Sequence, residues 1–247
     1  MHIAVCVKQV PDPEAAFSML KVDEQAMEAA LRIRESTGQA KITAVSVGPD
    51  SARSVLKHAL AMGADEALLV SDALLEDAGS EATAHALVAA IGQLGAIDLV
   101  LTGRQAADWD AGVVGCGIGE LMGVPVITFA RKVEVTAKTV RVERVLADGF
   151  ETIEAGLPAV VTVSNELGAA RKPSLRETMR AARKPLAVND AAGIGLTASD
   201  IGRISGLRVR ERLYVPVKSG RCEIIEDADV AAQAARLVQR LREVRLI

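Results

Sequence analysis

Thr102-Gly103-Arg104-Gln105-Ala106-Ala107-Asp108-Trp109-Asp110-Ala111-Gly112-Val113-Val114-Gly115 is the stretch from which the rest of the chain is read. The apolar run Asp98-Leu99-Val100-Leu101-Thr102 ahead of it predicts a strand, and the small residues behind it predict a helix start. A strand's carboxyl end then meets a helix amino end. Free N–H groups and the positive end of a helix dipole converge there, which suits an anion such as a nucleotide phosphate.

Working towards the amino terminus, short apolar runs alternate with helical periodicity. Strands are expected at Ile3 to Val7, closed by Pro11 and Pro13, at Ile42 to Val47, closed by Gly48-Pro49, and at Ala67 to Val70. Helices are expected from Glu24 to Glu35, after Asp50 as an N-cap with Gly63 past its end, and from Glu81 to Leu94. That alternation predicts βαβ units on a parallel sheet.

Towards the carboxyl terminus, a helix from Val114 to Met122 ends at Gly123, and Val126 to Phe129 reads as a strand. Val133-Glu134-Val135 and Val140-Arg141-Val142-Glu143 alternate with period two, predicting a half-exposed antiparallel hairpin. Phe150 to Glu154 adds a strand and Ala159 to Val163 a buried one. A short helix to about Ala182 follows, then a Gly- and Ala-rich stretch from Ala187 to Gly206 without an evident core face. A last helix from Asp229 to about Val244 carries Val230, Ala234, Leu237, Val238 and Leu241 on one stripe. The expected organisation is a nucleotide-binding domain over residues 1–165, a recognition loop and short helix over 166–185, and an arm over 186–247 awaiting a surface.

The 247 residues are 50% hydrophobic but 2% aromatic, so Ala, Val, Leu and Ile must build the core, as in helices packed on a buried parallel sheet. A net charge of −3 argues against a nucleic-acid binder. The opening Met1 to Lys8 is too short for a secretory apolar core, and no run approaches the ~18 apolar residues of a membrane span, so a cytoplasmic protein is expected without membrane insertion. Cys6, Cys116 and Cys222 are dispersed and odd in number, and read as small buried hydrophobes in a reducing compartment. With His2, His58 and His85 equally scattered, neither a metal site nor a catalytic constellation is expected.

Gly103-Arg104-Gln105-Ala106-Ala107-Asp108-Trp109-Asp110 resembles the adenine-nucleotide loop of the β subunits of electron transfer flavoproteins. The resemblance is colinear over nearly the whole chain. Val5 to Pro13, Ala59-Leu60-Ala61-Met62-Gly63-Ala64-Asp65, Val142-Glu143-Arg144, Leu157 to Thr162, and Pro173-Ser174-Leu175 followed by Lys184-Pro185 match the family in order. It implies a Rossmann-like, doubly wound, mostly parallel α/β sheet of the adenine nucleotide α-hydrolase-like kind, with an antiparallel hairpin and a C-terminal arm that embraces an α subunit. It implies FAD held mainly by that α subunit and AMP in this one. The heterodimer would carry electrons from a flavin dehydrogenase, such as an acyl-CoA dehydrogenase, to a quinone oxidoreductase, and this chain would have no catalytic residues of its own.

Carried over residue by residue, the resemblance places the nucleotide against Cys6, Asp23, Val47, Gly103, Arg104, Gln105, Ala106, Asp108, Asp110, Ala111, Gly112, Val113 and Val114. Asp108 and Asp110 would repel a phosphate, so they are expected to face ribose or backbone N–H groups. Leu175 matches the leucine that the family plugs into its dehydrogenase, and Arg171, Lys172, Ser174, Arg176 and Arg180 surround it as a basic rim able to steer an acidic partner. Two departures stand out. The segment between Pro13 and Glu24 is short for the hairpin and N-P-x-D stretch found there, leaving Asp23 alone of that stretch in Leu20-Lys21-Val22-Asp23. Ala111, Val113 and Val114 replace common side-chain donors. Alternative readings are the bifurcating type, with a second FAD in place of AMP, and a stand-alone adenine-nucleotide sensor, which leaves residues 171–247 without work. An ATP-using ligase would want a pyrophosphate loop that Lys8-Gln9-Val10-Pro11 does not supply.

Overall fold

Ile3, Ala4 and Val5 are fully buried because the first strand runs up the middle of the sheet and is covered on both faces. The computed structural model describes residues 1–10, 18–19, 21–76, 78–106, 108–205, 211–212, 214 and 222–247, in two units, Met1–Arg208 and Val209–Ile247. In chain order the first unit contains β1 (His2–Cys6), β2 (Gln9–Val10), β3 (Ser18–Met19), α1 (Lys21–Thr37), β4 (Lys41–Val47), α2 (Arg53–Met62), β5 (Glu66–Val70), α3 (Gly79–Gly92) and β6 (Leu99–Gly103). It continues with α4 (Val114–Met122), β7 (Val126–Val135), β8 (Thr139–Leu146), β9 (Gly149–Gly156), β10 (Ala159–Val163), α5 (Leu175–Arg183), β11 (Ala187–Asn189) and α6 (Ala198–Ser205).

Among the described residues the main sheet has the order β11-β5-β4-β1-β6-β10-β7-β8-β9. Every pairing from β11 to β7 is parallel, and β8 and β9 add an antiparallel meander. The chain moves outwards from β1 through β4 to β5, then returns to lay β6 on β1's other side. β1 is therefore the point where the order reverses. Residues of α1 and α2, such as Met27, Leu31 and Leu56, share one core layer, while Leu87 and Ile91 of α3 and Ile118 of α4 share the layer on the opposite face. This is the Rossmann-like, doubly wound arrangement that the alternating pattern predicts.

Several local expectations are corrected. Asp50 does not cap α2; its carboxylate takes Arg53 Nε at 2.6 Å, at the start of a 3₁₀ turn. The expected strand at Val126 and the first arm of the hairpin are one ten-residue strand, β7. Of the abbreviated segment, β3 pairs antiparallel with β2 ahead of it, Gln9 opposite Met19. Pro11, Asp12, Pro13, Leu20, Ala107 and Gly206 lie outside the described residues. The stretch without an evident core face supplies β11, which extends the sheet beside β5, and α6, which buries Ile201 and Ile204. Ile194 before it is also buried. The first unit thus continues past the closure expected at residue 165. Cys6 is buried, but Cys116 and Cys222 are exposed, against the expectation of three buried thiols.

In the second unit α7 (Val230–Glu243) is capped by Asp229, whose side chain accepts from Ala232 N at 2.8 Å. None of its residues is buried, and Val230, Leu237 and Val238 are exposed. Among the described residues no helix is long and apolar enough to cross a membrane.

Candidate functional site: the crevice at the strand reversal

Cys6 lies beside Thr102 in the β1–β6 register, so the two strands end together and their following segments part: 7–8 leads to β2 and 104–113 leads to α4. In open parallel sheets a ligand crevice forms at such a reversal, outside the carboxyl ends of the strands. Val47 ends β4 next to it, half-buried.

Three glycines let α4 press against this floor. A Cβ on Gly115 would come within 2.5 Å of Thr162 Cγ2 and 2.8 Å of Thr102 Oγ1, so only glycine allows the helix start to sit on β6 and β10. Gly119 is held as closely against Val126, and Gly117 faces Ala84. The first intrahelical bond runs from Gly117 N to Val113 O at 2.9 Å, and Val113 contributes no side-chain cap. The amides of the first turn are therefore directed out of the helix start without a capping side chain.

The loop before α4 is shaped by its own contacts. Asp110, at φ 52°, donates its N–H to Ala106 O at 2.7 Å, and Gly112, at φ 63°, turns back beside Gln105. Ala111, Gly112 and Val113 are exposed at the mouth. Asp108 accepts from Trp109 N at 3.0 Å and holds Lys8 Nζ at 2.6 Å, so one of the two carboxylates is already neutralised by a cation from the β1 side.

Asp23 does something the sequence did not disclose. In the first turn of α1 it is buried, and its carboxylate accepts from Lys8 N at 2.6 Å and from Gly103 N, joining the ends of β1 and β6 beneath the crevice. Burial pushes its carboxyl up to about 7, against the two N–H donors that favour the charged form. The Cys6 thiol is pushed up to about 12 by burial and by the neighbouring Asp23, and is a neutral wall group.

Arg104 is engaged by an aromatic ring. Its guanidinium stacks over Phe129 at 4.5 Å, two strands away on β7, with Arg144 on the same ring at 5.9 Å. Phe129 has φ 61°, and its N–H donates to Thr162 Oγ1 at 3.1 Å. Two other surface depressions lie away from the strand reversal. One is lined by Lys132, Glu134, Arg141, Glu143 and Thr152, the other by Met1, Arg34, Gly38, Gln39, Ala40, Lys41 and Asp65. Both are walled mainly by charged and polar side chains, and neither has a helix start opening on it.

The second predicted surface is α5. Leu175 is 77% exposed at its first turn. Ser174 caps the helix through a reciprocal capping box with Glu177. Lys172, Arg176 and Arg180 are exposed. Arg171 is exposed too, but its guanidinium is ion-paired within the chain, 2.7 Å from Glu28 Oε2 and 2.5 Å from Glu35 Oε1.

A family model described as "Electron transfer flavoprotein domain" matches residues 12–193. The chain is 35% identical to the electron transfer flavoprotein subunit beta of Megasphaera elsdenii over 271 residues, covering all of both chains. It is 34% identical to the CarD subunit of the caffeyl-CoA reductase-Etf complex of Acetobacterium woodii over 262 residues, again covering both. It is 41% identical to the Thermoanaerobacterium thermosaccharolyticum subunit beta over 199 residues, with 74% of this chain and 76% of the relative covered. Residues 12–193 take in the loop before α4 and the α5 segment, and the first two relatives cover the whole chain; the chain belongs to the electron transfer flavoprotein family, among its β subunits.

Proposed function

We propose that this chain is the β subunit of a heterodimeric, cytoplasmic electron transfer flavoprotein that binds AMP as a structural ligand at the β1–β6 crevice. In this reading it docks a flavin dehydrogenase of the acyl-CoA dehydrogenase type through α5. Electrons pass from that donor, by way of FAD held mainly by the α subunit, to a quinone oxidoreductase. When bound, FAD supplies the one-electron chemistry; this chain's residues bind, orient and dock.

The observation that carries the reading is the uncapped start of α4 opening on the strand reversal. Backbone amides of residues 114–116, with Gly112 and Val113 at the mouth, would hold the phosphate. The ends of β1 and β4 at Cys6 and Val47 would present backbone groups to adenine. Asp23 would act beneath the ligand by joining β1 to β6. The absence of side-chain donors at Ala111, Val113 and Val114 leaves the phosphate to backbone groups, which suits a monophosphate at a helix start. The exposed apolar stripe of α7 fits an arm that lies on the α subunit.

Co-expression with the α subunit, followed by extraction and quantitation of nucleotides, tests this. One FAD and one AMP per heterodimer is the expected result; a pocket holding neither AMP nor FAD would falsify it. The similarity to a subunit of a caffeyl-CoA reductase-Etf complex favours a second reading, in which FAD replaces AMP in this crevice. Two FADs per heterodimer would establish that one.

A further inference from the structure

α5 is anchored in an unusual way. Of its nine residues only Ala181 is buried, joining the core layer of α2, along which the helix lies. A helix this short is marginal in isolation. Polar contacts then fix its two ends.

At the entrance, Gln25, Glu28, Arg32 and Glu35 fall at spacings of three and four on one stripe of α1, and all four bind the segment leading to α5. Gln25 Nε2 donates to Asn165 O at 3.0 Å and Gly168 O at 3.1 Å, and Arg32 Nη1 donates to Leu167 O at 3.2 Å. Glu28 is buried, and receives Arg171 through Nε at 2.7 Å, Nη2 at 3.1 Å and the backbone N–H at 3.2 Å. Glu35 takes the same guanidinium at 2.5 and 3.2 Å.

At the exit, Lys57 of α2 places its ammonium on three carbonyls, Ala181 O at 3.2 Å, Ala182 O at 3.1 Å and Lys184 O at 2.5 Å. A cation there satisfies orphan carbonyls and opposes the negative end of the dipole. Lys184 Nζ returns to Ala64 O at 2.9 Å. Between these mounts Leu175 and Met179, 77% and 56% exposed, stand four residues apart on one face, with exposed Arg176, Arg180 and Arg183 around them.

We propose that Lys57 and the Glu28–Arg171–Glu35 cluster are positioning residues that hold α5 in a single orientation, so that Leu175 and Met179 enter one apolar, carboxylate-rimmed depression on the partner as a unit. The inference rests on the docking reading above and extends it to residues outside the docking face. Holding the helix beforehand removes ordering cost from association, so loosening the mount weakens docking without touching the contact surface. The arginines around the apolar pair select the acidic rim.

The test uses the heterodimer and a panel of short-, medium- and long-chain acyl-CoA dehydrogenases as electron donors. The half-saturating donor concentration and the maximal reduction rate are measured for wild type and for Lys57→Met, Lys57→Arg, Glu35→Gln, Leu175→Ala and Met179→Ala. Hydrogen exchange of the amides at residues 178–184 is followed in parallel. Lys57→Met is expected to speed exchange in α5 and raise the half-saturating concentration about tenfold, while Lys57→Arg restores both. Glu35→Gln, at an exposed carboxylate, is expected to shift it in the same direction by a smaller factor. Leu175→Ala and Met179→Ala should each raise it, and Lys57→Met combined with Leu175→Ala should fall short of the product of the two factors. Faster exchange in Lys57→Met with an unchanged half-saturating concentration overturns the inference, as does unchanged exchange. A wild-type heterodimer that no donor reduces, or a Leu175→Ala variant equal to wild type, overturns the docking reading itself.

Discussion

Lys8 and Asp108 meet across the gap where the strand order reverses, with Nζ 2.6 Å from one carboxylate oxygen and 2.8 Å from the other. One comes from the segment after β1 and the other from the loop before α4, so the pair bridges the two sides of the candidate nucleotide crevice. Partly exposed pairs of this kind contribute about 0–1 kcal/mol to stability. Lys8→Met and Asp108→Asn are therefore expected to leave the unfolding midpoint nearly in place. They should act oppositely on AMP retained per heterodimer: losing the cation lowers it and losing the carboxylate raises it. Equal retention in both variants would remove this pair from the site.

The glycines of α4 are not interchangeable with those elsewhere. Gly115→Ala puts a methyl against Thr162 and Thr102, and Gly119→Ala puts one into Val126, so each should cost about 1–3 kcal/mol in chemical denaturation. Gly202→Ala, within α6 and with nothing inside 4 Å of the new carbon, should stabilise by about 0.5–1 kcal/mol. A neutral Gly115→Ala would show that α4 does not sit on the sheet as described.

The Asp23 carboxyl, at about 7 in the fold against 3.8 ordinarily, binds a proton over a range where the unfolded chain has lost it. Its contribution to stability is fully present below pH 3.8 and is lost as pH rises through 7. The denaturation midpoint should fall between about pH 4 and pH 7 and level off above, and Asp23→Asn should flatten that slope. An unchanged slope in the variant would assign the titration to another group.

Glu28 has the opposite sign. Burial works to raise its carboxyl, but hydrogen bonds from Arg171 and Arg32 prevail and hold it at about 2, against 4.5 ordinarily. The stability it provides is present above pH 4.5 and is lost as pH falls through 2. Glu28→Gln is expected to cost about 1.5–3 kcal/mol at neutral pH, the worth of hydrogen bonds between charged groups, and to reduce the loss of stability in acid. Urea titrations at pH 7 and pH 3.5 separate the two effects.

Strand periodicity, glycine stops and the loop from Gly103 to Val114 made most of the parallel sheet and its candidate crevice legible, because each rests on neighbours in sequence. α4 was read with its observed bounds, Val114 and Met122. β11 and α6 were missed because a three-residue edge strand and an eight-residue helix bury too few side chains to leave a periodic trace. Arg171 was read as part of a basic rim, since nothing local to it indicates that Glu28 and Glu35, 143 and 136 residues away, occupy its guanidinium. The contact of Arg104 with Phe129 was illegible for the same reason: its neighbours are loop residues, while Phe129 is on another strand.

By itself the sequence determined which residues are strand and helix in the sheet's core, that a helix start opens beyond Thr102, and which family the chain resembles. The first two follow from short-range periodicity and backbone preference; the resemblance rests on the loop motif and on colinear segments matched in order. Only the tertiary structure decided where charge goes: Asp23 beneath the strand ends, Lys8 against Asp108, Arg171 in the α1 stripe and Lys57 on the end of α5. An ion's partner is chosen by proximity in space and by the desolvation it must offset, and neither is encoded by neighbours along the chain.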